Sequence, residues 1–240
     1  MAHSVAHPSI SIIIPVYNEE GILRASIVDL VDRLADVPWS YELVLAENGS
    51  TDQTAAVASM LTERFPQLAY QHTDEPNYGK ALREGILRAR GDVVICDEID
   101  LCDMGFYERA LAVLQDRTVD FVIGSKAMEG AKDQRPFFRR LGTRMINRLL
   151  RWTLGFQGTD THGLKAFRRV KVQPIARACV IGGDLFASEL VIRAQRAGLG
   201  VTEIPVCILE KRPPSIGLVR RVPNVLRSLI KLFIAIRIRG

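Results

Sequence analysis

Ile10-Ser11-Ile12-Ile13-Ile14-Pro15-Val16-Tyr17-Asn18-Glu19-Glu20 is the stretch that decides the fold. A β-branched apolar run this short, closed by Pro15, reads as a strand buried on both faces. The residues after it read as a loop and then a helix, because Glu19–Ala35 holds Ile22, Ile27, Leu30, Val31 and Leu34 at helical spacing. Working outward, the unit repeats. Tyr41–Ala46 is a second strand and Asp52–Arg64 a second helix; strand Leu68–Gln71, helix Gly79–Ala89, strand Val93–Cys96, helix Phe106–Gln115 and strand Phe121–Ile123 follow. Strands separated by helices of this length predict an α/β fold, a mostly parallel sheet with helices on both faces. Ligands of such sheets bind beyond the C-terminal strand ends, so loops 15–20, 46–52 and 97–104 are expected to gather.

The second half is less regular. Helix Arg135–Leu154, a loop centred on Gly163, helix Asp184–Ala197, strand Val201–Val206, a Pro-rich loop at Arg212–Pro214 and a last helix over Leu218–Arg239 are expected. The 240 residues are 48% hydrophobic and 25% charged, which excludes a disordered or collagen-like chain. Residues 210–240 carry eight Lys/Arg against Glu210, so the net charge of +5 is a cationic tail on a near-neutral body. Cys96, Cys102, Cys179 and Cys207 show no CxxC or zinc spacing, and reduced thiols are expected. Met1–Pro8 has no secretory pattern, and Arg227 and Lys231 interrupt the most apolar run, so no membrane span is expected.

Three strand ends carry polar clusters: Pro15 to Glu20, Glu47-Asn48-Gly49-Ser50-Thr51-Asp52, and Asp97-Glu98-Ile99-Asp100. Each alone can be a helix start, with Asn18 or Glu19, or Ser50 or Thr51, as the cap. Their recurrence after successive strands describes a carboxylate-lined crevice, suited to a nucleotide whose phosphates are bridged by a hard divalent cation.

These segments resemble the opening of family 2 glycosyltransferases. Asn77-Tyr78-Gly79-Lys80-Ala81-Leu82 and Gly91-Asp92 continue the likeness, and Glu98-Ile99-Asp100 stands where that family has its DxD motif. Gly124-Ser125-Lys126, Gly163-Leu164-Lys165-Ala166-Phe167-Arg168, Glu189 and Ile204-Pro205-Val206 are similar to the dolichyl- or polyprenyl-phosphate mannosyl- and glucosyltransferase branch. The resemblance covers about residues 9–216. It implies a GT-A (Rossmann-like) domain over 1–216, with a nucleotide-sugar half at about 9–124 and an acceptor half at about 125–216, followed by a basic amphipathic helix over 217–240. It implies a nucleotide-diphosphate sugar as donor, Mg²⁺ or Mn²⁺ as cofactor, and a lipid phosphate as acceptor. Pro15, Tyr17, Asn18, Glu19, Glu47, Asn48 and Lys80 take the nucleotide positions. Glu98 and Asp100 take the metal positions, Asp100 and Arg212 assist the leaving diphosphate, and Ser125, Lys165 and Arg168 face the acceptor phosphate. Cys102 stands where that branch often has an amide, and a thiol is a poor partner for Mg²⁺.

A hydroxyl acceptor needs a general base, and Asp184 and Glu189 are the acidic candidates; Asp184 also has the position of an N-cap. His162 is a candidate phosphate or metal contact and equally a hydrogen-bonded loop residue. Over Arg135–Trp152 there are six arginines and no acid. Arg140, Arg144, Arg148 and Arg151 form one helical stripe, and Phe138, Leu141, Met145, Leu149 and Trp152 an adjacent apolar one. In the tail Leu226, Leu229, Ile230, Phe233 and Ile236 accompany Arg227, Lys231, Arg237 and Arg239. Such helices suit an anionic membrane surface, with the protein peripheral on the cytoplasmic face; the alternatives are core packing with a solvated basic face, or self-association. Aromatics are only 7% and no helix-turn-helix pattern is present, so nucleic acid is not the expected partner. An inverting hexosyltransferase to a lipid-linked acceptor is the leading expectation. The same chemistry on a soluble or saccharide acceptor, and a nucleotide-sugar-binding protein with degraded catalysis, remain alternatives.

Overall fold

The computed structural model describes residues 9–134, 136–208 and 218–237. Arg212 and its Pro-rich loop, and Arg239, lie outside the described residues. The chain runs β1 (Ser9–Val16), α1 (Leu23–Ala35), β2 (Ser40–Glu47), α2 (Thr54–Arg64), β3 (Leu68–His72), α3 (Tyr78–Arg88), β4 (Val93–Cys96), α4 (Met104–Val113) and β5 (Phe121–Ser125). It continues through β6 (Lys132–Asp133), α5 (Phe137–Leu154), β7 (Lys165–Arg168), α6 (Arg169–Ala178), α7 (Phe186–Arg196), β8 (Val201–Pro205), β9 (Cys207–Ile208) and α8 (Leu218–Arg237).

Seven strands form one sheet in the order β3-β2-β1-β4-β7-β5-β8, and β6 pairs with β9 apart from it. Strand β7 is antiparallel to both β4 and β5, and every other pairing in the large sheet is parallel. Strand β1 lies inside the sheet, between β2 and β4, because it can bury side chains on both faces. Ile10, Ile12 and Ile14 enter one apolar layer with Leu23, Leu30 and Phe106, while Ile13 enters the opposite layer with Leu82, Phe186 and Leu190. The one hydroxyl in that run is satisfied locally: Ser11 Oγ donates to Glu42 (2.6 Å) and accepts from the Gly91 amide (2.8 Å). The neighbours of β1 are β2 on one side and β4 on the other, so the crevice expected from strand alternation falls beyond the C-terminal ends of these strands.

The first half follows the sequence expectation, with two helices starting later. α1 begins at Leu23 rather than Glu19, and α2 at Thr54 rather than Asp52, because the residues before them bind each other across two loops. Besides the two short strands β6 and β9, the second half holds two longer elements that the sequence did not mark, β7 and α6. Lys165-Ala166-Phe167-Arg168 has basic residues at both ends, and α6 contains Pro174. Only insertion between β4 and β5 buries Lys165, Ala166 and Phe167.

The cysteines are free, as expected, with Cys207 exposed and the other three buried. Among the described residues no helix is long and apolar enough to cross a membrane.

Candidate active site at the C-terminal edge of the sheet

The loops after β1 and β2 are tied to each other. The Asn18 amide donates to Ser50 Oγ (2.9 Å), and Asn18 Oδ1 accepts from the Thr51 amide (2.8 Å). The Glu19 amide donates to Thr54 Oγ1 (2.7 Å), and the Gln53 amide donates to Glu20 (2.8 Å). Asn18 reaches this position through a left-handed backbone (φ 54°), which its short polar side chain tolerates. The side chain of Asn18 therefore acts first as a clamp between loops. Pro15 and Tyr17 are partly buried at the β1 end of the crevice.

Glu47 ends β2 fully buried. Its carboxylate accepts from the Ser50 amide (2.5 Å) and contacts His72 Nδ1 at the end of β3. Burial pushes this carboxyl up, but the Ser50 hydrogen bonds and His72 together hold it below the usual value. Asn48 is also buried, and its Oδ1 accepts from the Asn77 amide. Glu47 and Asn48 thus sit beneath the crevice rather than open to it. Asn77 is the N-cap of α3, and its Oδ1 accepts from Lys80 N (3.0 Å) and from Gly183 N (2.8 Å). The second bond draws segment 182–186 onto the helix start. A Cβ on Gly79 would lie 2.6 Å from Phe186 Cβ and 2.7 Å from Gly183 O, so only glycine admits this approach. Lys80 is exposed in the first turn of α3.

The acidic turn follows β4. Asp97 is buried and accepts from the Tyr107 hydroxyl (2.5 Å) and from the amides of Glu98 (2.6 Å) and Asp103 (3.0 Å). Burial pushes its carboxyl up to about 7, although those donors favour the charge. With Asp97 anchored inward, Glu98 is exposed and Asp100 partly exposed. Cys102 turns into the core on a left-handed backbone (φ 44°), its thiol on Ile99 O (3.6 Å) and pushed up to about 12 by burial. It is a protonated core side chain and takes no metal-ligand position. The Tyr78 phenol is raised well above its ordinary value by burial, then by the charges of Glu98, Asp184 and Asp97 around it. That places Asp184 and the acidic turn about one tyrosine ring.

Asp184 is exposed in a short 3-10 turn, Gly183–Leu185. The residue at the N-cap of α7 is Leu185, so the capping role expected for Asp184 is not observed. Beside it, Lys126 pairs with buried Asp160 (3.2 Å), whose carboxyl stays below the usual value because Lys126 and then the His162 amide outweigh burial. Burial pushes His162 down to about 4. The neutral ring fits one hydrogen-bond relay. Its Nε2–H donates to Asp184 O (3.1 Å), and its Nδ1 accepts from Thr161 Oγ1 (3.0 Å), which in turn accepts from Ser188 Oγ (2.9 Å). His162 is a structural residue of this loop.

Lys165 lies in the register Cys96↔Lys165, with its Nζ on Gly163 O (2.6 Å). Burial lowers its ammonium, and Asp160 and Glu98 oppose that shift. Three of the expected residues are engaged by the scaffold. Arg168 stands opposite Val93, roughly 10 Å away at the far end of a four-residue strand. Its guanidinium donates to Leu114 O (2.5 Å) and Val119 O (3.2 Å), so it closes the α4–β5 turn. Ser125 is buried, shares a hydrogen bond with Thr159 Oγ1 (2.6 Å) and accepts from the Ala127 amide (3.1 Å). Glu189 accepts from Val180 N (3.0 Å), Ile181 N (2.7 Å) and Arg193 Nε (2.8 Å), a buried brace rather than a base. The sequence reading missed Lys126, Asp160, Tyr78 and Asp97. All four stand inside or next to the motifs quoted for the resemblance, but nothing local shows that they converge.

The model of the family described as glycosyl transferase family 2 matches residues 11–173. Glycosyltransferase AglD of Haloferax volcanii is 28% identical over 99% of this chain and 39% of its own length. Dolichyl-phosphate beta-glucosyltransferase ALG5D of Trichomonas vaginalis is 29% identical over 82% of this chain and 64% of its own length. The chain therefore spans less than two thirds of either relative. The crystal structure of glucosyl-3-phosphoglycerate synthase from Mycobacterium tuberculosis, in complex with Mn²⁺, UDP-glucose and phosphoglyceric acid, gives a TM-score of 0.67 at 19% identity. The match covers 94% of this chain and 80% of that one, and at this identity it is a likeness of fold.

Proposed function

The chain belongs to glycosyl transferase family 2 and has the GT-A fold, and from that premise we propose that it moves a hexose, with inversion, from a nucleoside diphosphate sugar to a polyprenyl phosphate at the cytoplasmic face of a membrane. The observation that carries this reading is the register Cys96↔Lys165, which puts a buried lysine on the sheet edge where Glu98 and Asp100 emerge. Negative and positive groups then stand side by side, one set suited to a departing diphosphate and its cation, the other to an arriving anion. A dolichyl-phosphate glucosyltransferase among the relatives supports the lipid acceptor.

Glu98 and Asp100 are hard oxygen donors, and among the described residues no cluster of three or more His, Cys, Asp or Glu could hold a metal by itself. A pair of carboxylates suits Mg²⁺ or Mn²⁺, which complete their shells with substrate phosphate oxygens and water. When bound, such an ion neutralises charge developing on the leaving diphosphate. Pro15, Tyr17 and Lys80 line the nucleotide side, with Glu47, Asn48 and Asn18 holding the loops behind them. The acceptor oxygen attacks the anomeric carbon on the face opposite the diphosphate; the carbon–oxygen bond to the diphosphate breaks and its electron pair leaves on the β-phosphate. A phosphate acceptor is already an anion, so no base is required, and Lys165 and Lys126 would hold it.

The test is transfer from UDP-glucose, GDP-mannose and related donors to a short polyprenyl phosphate, with Mn²⁺ present and product followed by mass spectrometry. Sugar-phosphate-lipid formed from one donor class, and lost on chelation, supports the reading. No transfer and no donor hydrolysis from any of them overturns it.

A further inference from the structure

We propose that the outward face of α5 is the surface by which this protein seats on an anionic lipid bilayer. The inference rests on the lipid-acceptor reading and adds to it the place of contact. At about 100° per residue, Phe138, Leu141, Met145, Leu149 and Trp152 form one stripe. Leu150, Leu154 and Asn147, the buried residues of the same helix, point about 170° away from it. An amphipathic helix ordinarily buries its apolar face; this one buries a second face and leaves the apolar stripe outside. Trp152 is 87% exposed, Phe138 73% and Met145 64%.

Exposed Arg144, Arg148 and Arg151 fill the flank between stripe and core, and no acid occurs on the helix. That charge pattern selects the occupant. Anionic headgroups complement a row of arginines at the rim of an apolar strip, and aromatic side chains at both ends suit the headgroup boundary. A second copy docked through the same face would bring two arginine rows together with no carboxylate on either helix to pair them.

The face is joined to the acceptor side of the site. Asn147 Nδ2 on α5 donates to Thr159 O (2.6 Å), and Thr159 binds Ser125 and Glu203. The tail helix differs from its expectation. Leu232, Ala235 and Ile236 of α8 are buried, and its last carbonyls accept from Arg193 (Ala235 O, 3.3 Å) and Arg196 (Ile236 O, 2.7 Å). α8 is therefore a strut on the body, with Ile230 and Phe233 exposed on its other side.

The experiment is flotation of the full chain with phosphatidylcholine vesicles, with and without phosphatidylglycerol. Met145→Gln with Trp152→Gln should weaken partition about tenfold or more for each side chain that loses its apolar burial. Arg144→Gln, Arg148→Gln and Arg151→Gln should each weaken it about fivefold, only when phosphatidylglycerol is present. All these side chains are exposed, so circular dichroism and donor-induced thermal shifts should stay at wild-type values. Vesicle binding that survives both sets of substitutions overturns the inference, as does light scattering that shows a dimer broken by Trp152→Gln with flotation unchanged. Loss of flotation with donor turnover retained supports docking at α5. Intact flotation without transfer to any polyprenyl phosphate would instead count against the acceptor reading alone.

Discussion

Lys165 and Cys96 stand opposite each other in the antiparallel pair β4–β7, so the lysine enters the sheet where the Glu98–Asp100 turn leaves it. The next three residues carry the chain to the far edge, where Arg168 closes a turn. One short strand thus separates a cation of the site from a cation of the scaffold, and the two should respond differently to removal. Lys165→Met should raise the acceptor KM about tenfold or more and leave donor hydrolysis near wild type. Arg168→Met should leave acceptor KM unchanged and lower stability by about 1–3 kcal/mol, because buried carbonyls lose their donor. Initial rates against acceptor concentration, and urea melts of both variants, check the pair.

Asp100→Asn should reduce turnover by roughly a hundredfold or more, since one of two hard anionic donors for the cation is replaced by a neutral amide. The partly exposed side chain makes a large change in melting temperature unexpected. Titration of Mn²⁺ against activity should show a weakened dependence in the variant. Turnover that sits at background in both wild type and the variant would favour a binding protein over an enzyme.

Asp184→Asn separates the two acceptor classes. With a phosphate acceptor no proton has to be removed, and the rate should fall less than about tenfold. With a hydroxyl acceptor the loss of a general base should cost roughly a hundredfold to ten-thousandfold. Parallel assays with a polyprenyl phosphate and with a sugar alcohol give the comparison. A large loss with the phosphate would assign Asp184 a role other than proton removal.

His162 predicts a pH dependence of stability. Its folded value is about 4, against 6.5 in the unfolded chain. The neutral ring's contribution is complete above pH 6.5 and declines as pH falls through 6.5 towards 4, because the unfolded state takes up a proton that the folded state refuses. The loss should reach about 3 kcal/mol near pH 4. Urea melts of wild type and His162→Asn across that window should converge as pH drops. Parallel pH curves would show that the ring is not held neutral.

Asn77→Ala should cost about 1–2 kcal/mol, as a helix cap is removed, and also raise the donor KM. The same oxygen holds Gly183 against α3, so Asp184 loses its fixed distance from the acidic turn. Asn77→Asp keeps an acceptor oxygen there and should restore most of the stability. Thermal melts and donor saturation curves on the two variants check this.

Much of the scaffold was legible in the residues before any coordinates. Ile10–Ile14, the helix-spaced apolar residues after it and the polar strand ends are local patterns, set by side-chain period and turn chemistry. The same is true of the α5 stripes, whose spacing is visible in 138–152. β7 was not legible, because four residues with charged ends acquire a buried strand only from neighbours brought by β4 and β5. Glu47, Ser125 and Glu189 were readable as polar residues in suggestive places, yet each is buried against protein donors or hydroxyls.

By itself, then, the sequence determined the alternation of strands and helices, the family and the edge of the sheet at which a site would form. These depend on residues close together in the chain. Tertiary structure alone decided which polar side chains face that edge, that Cys102 turns inward, that Lys165 and Arg168 part company, and that the apolar stripe of α5 points outward. Each of these depends on strand direction, register and packing partners contributed by distant segments, and no local pattern of residues encodes them.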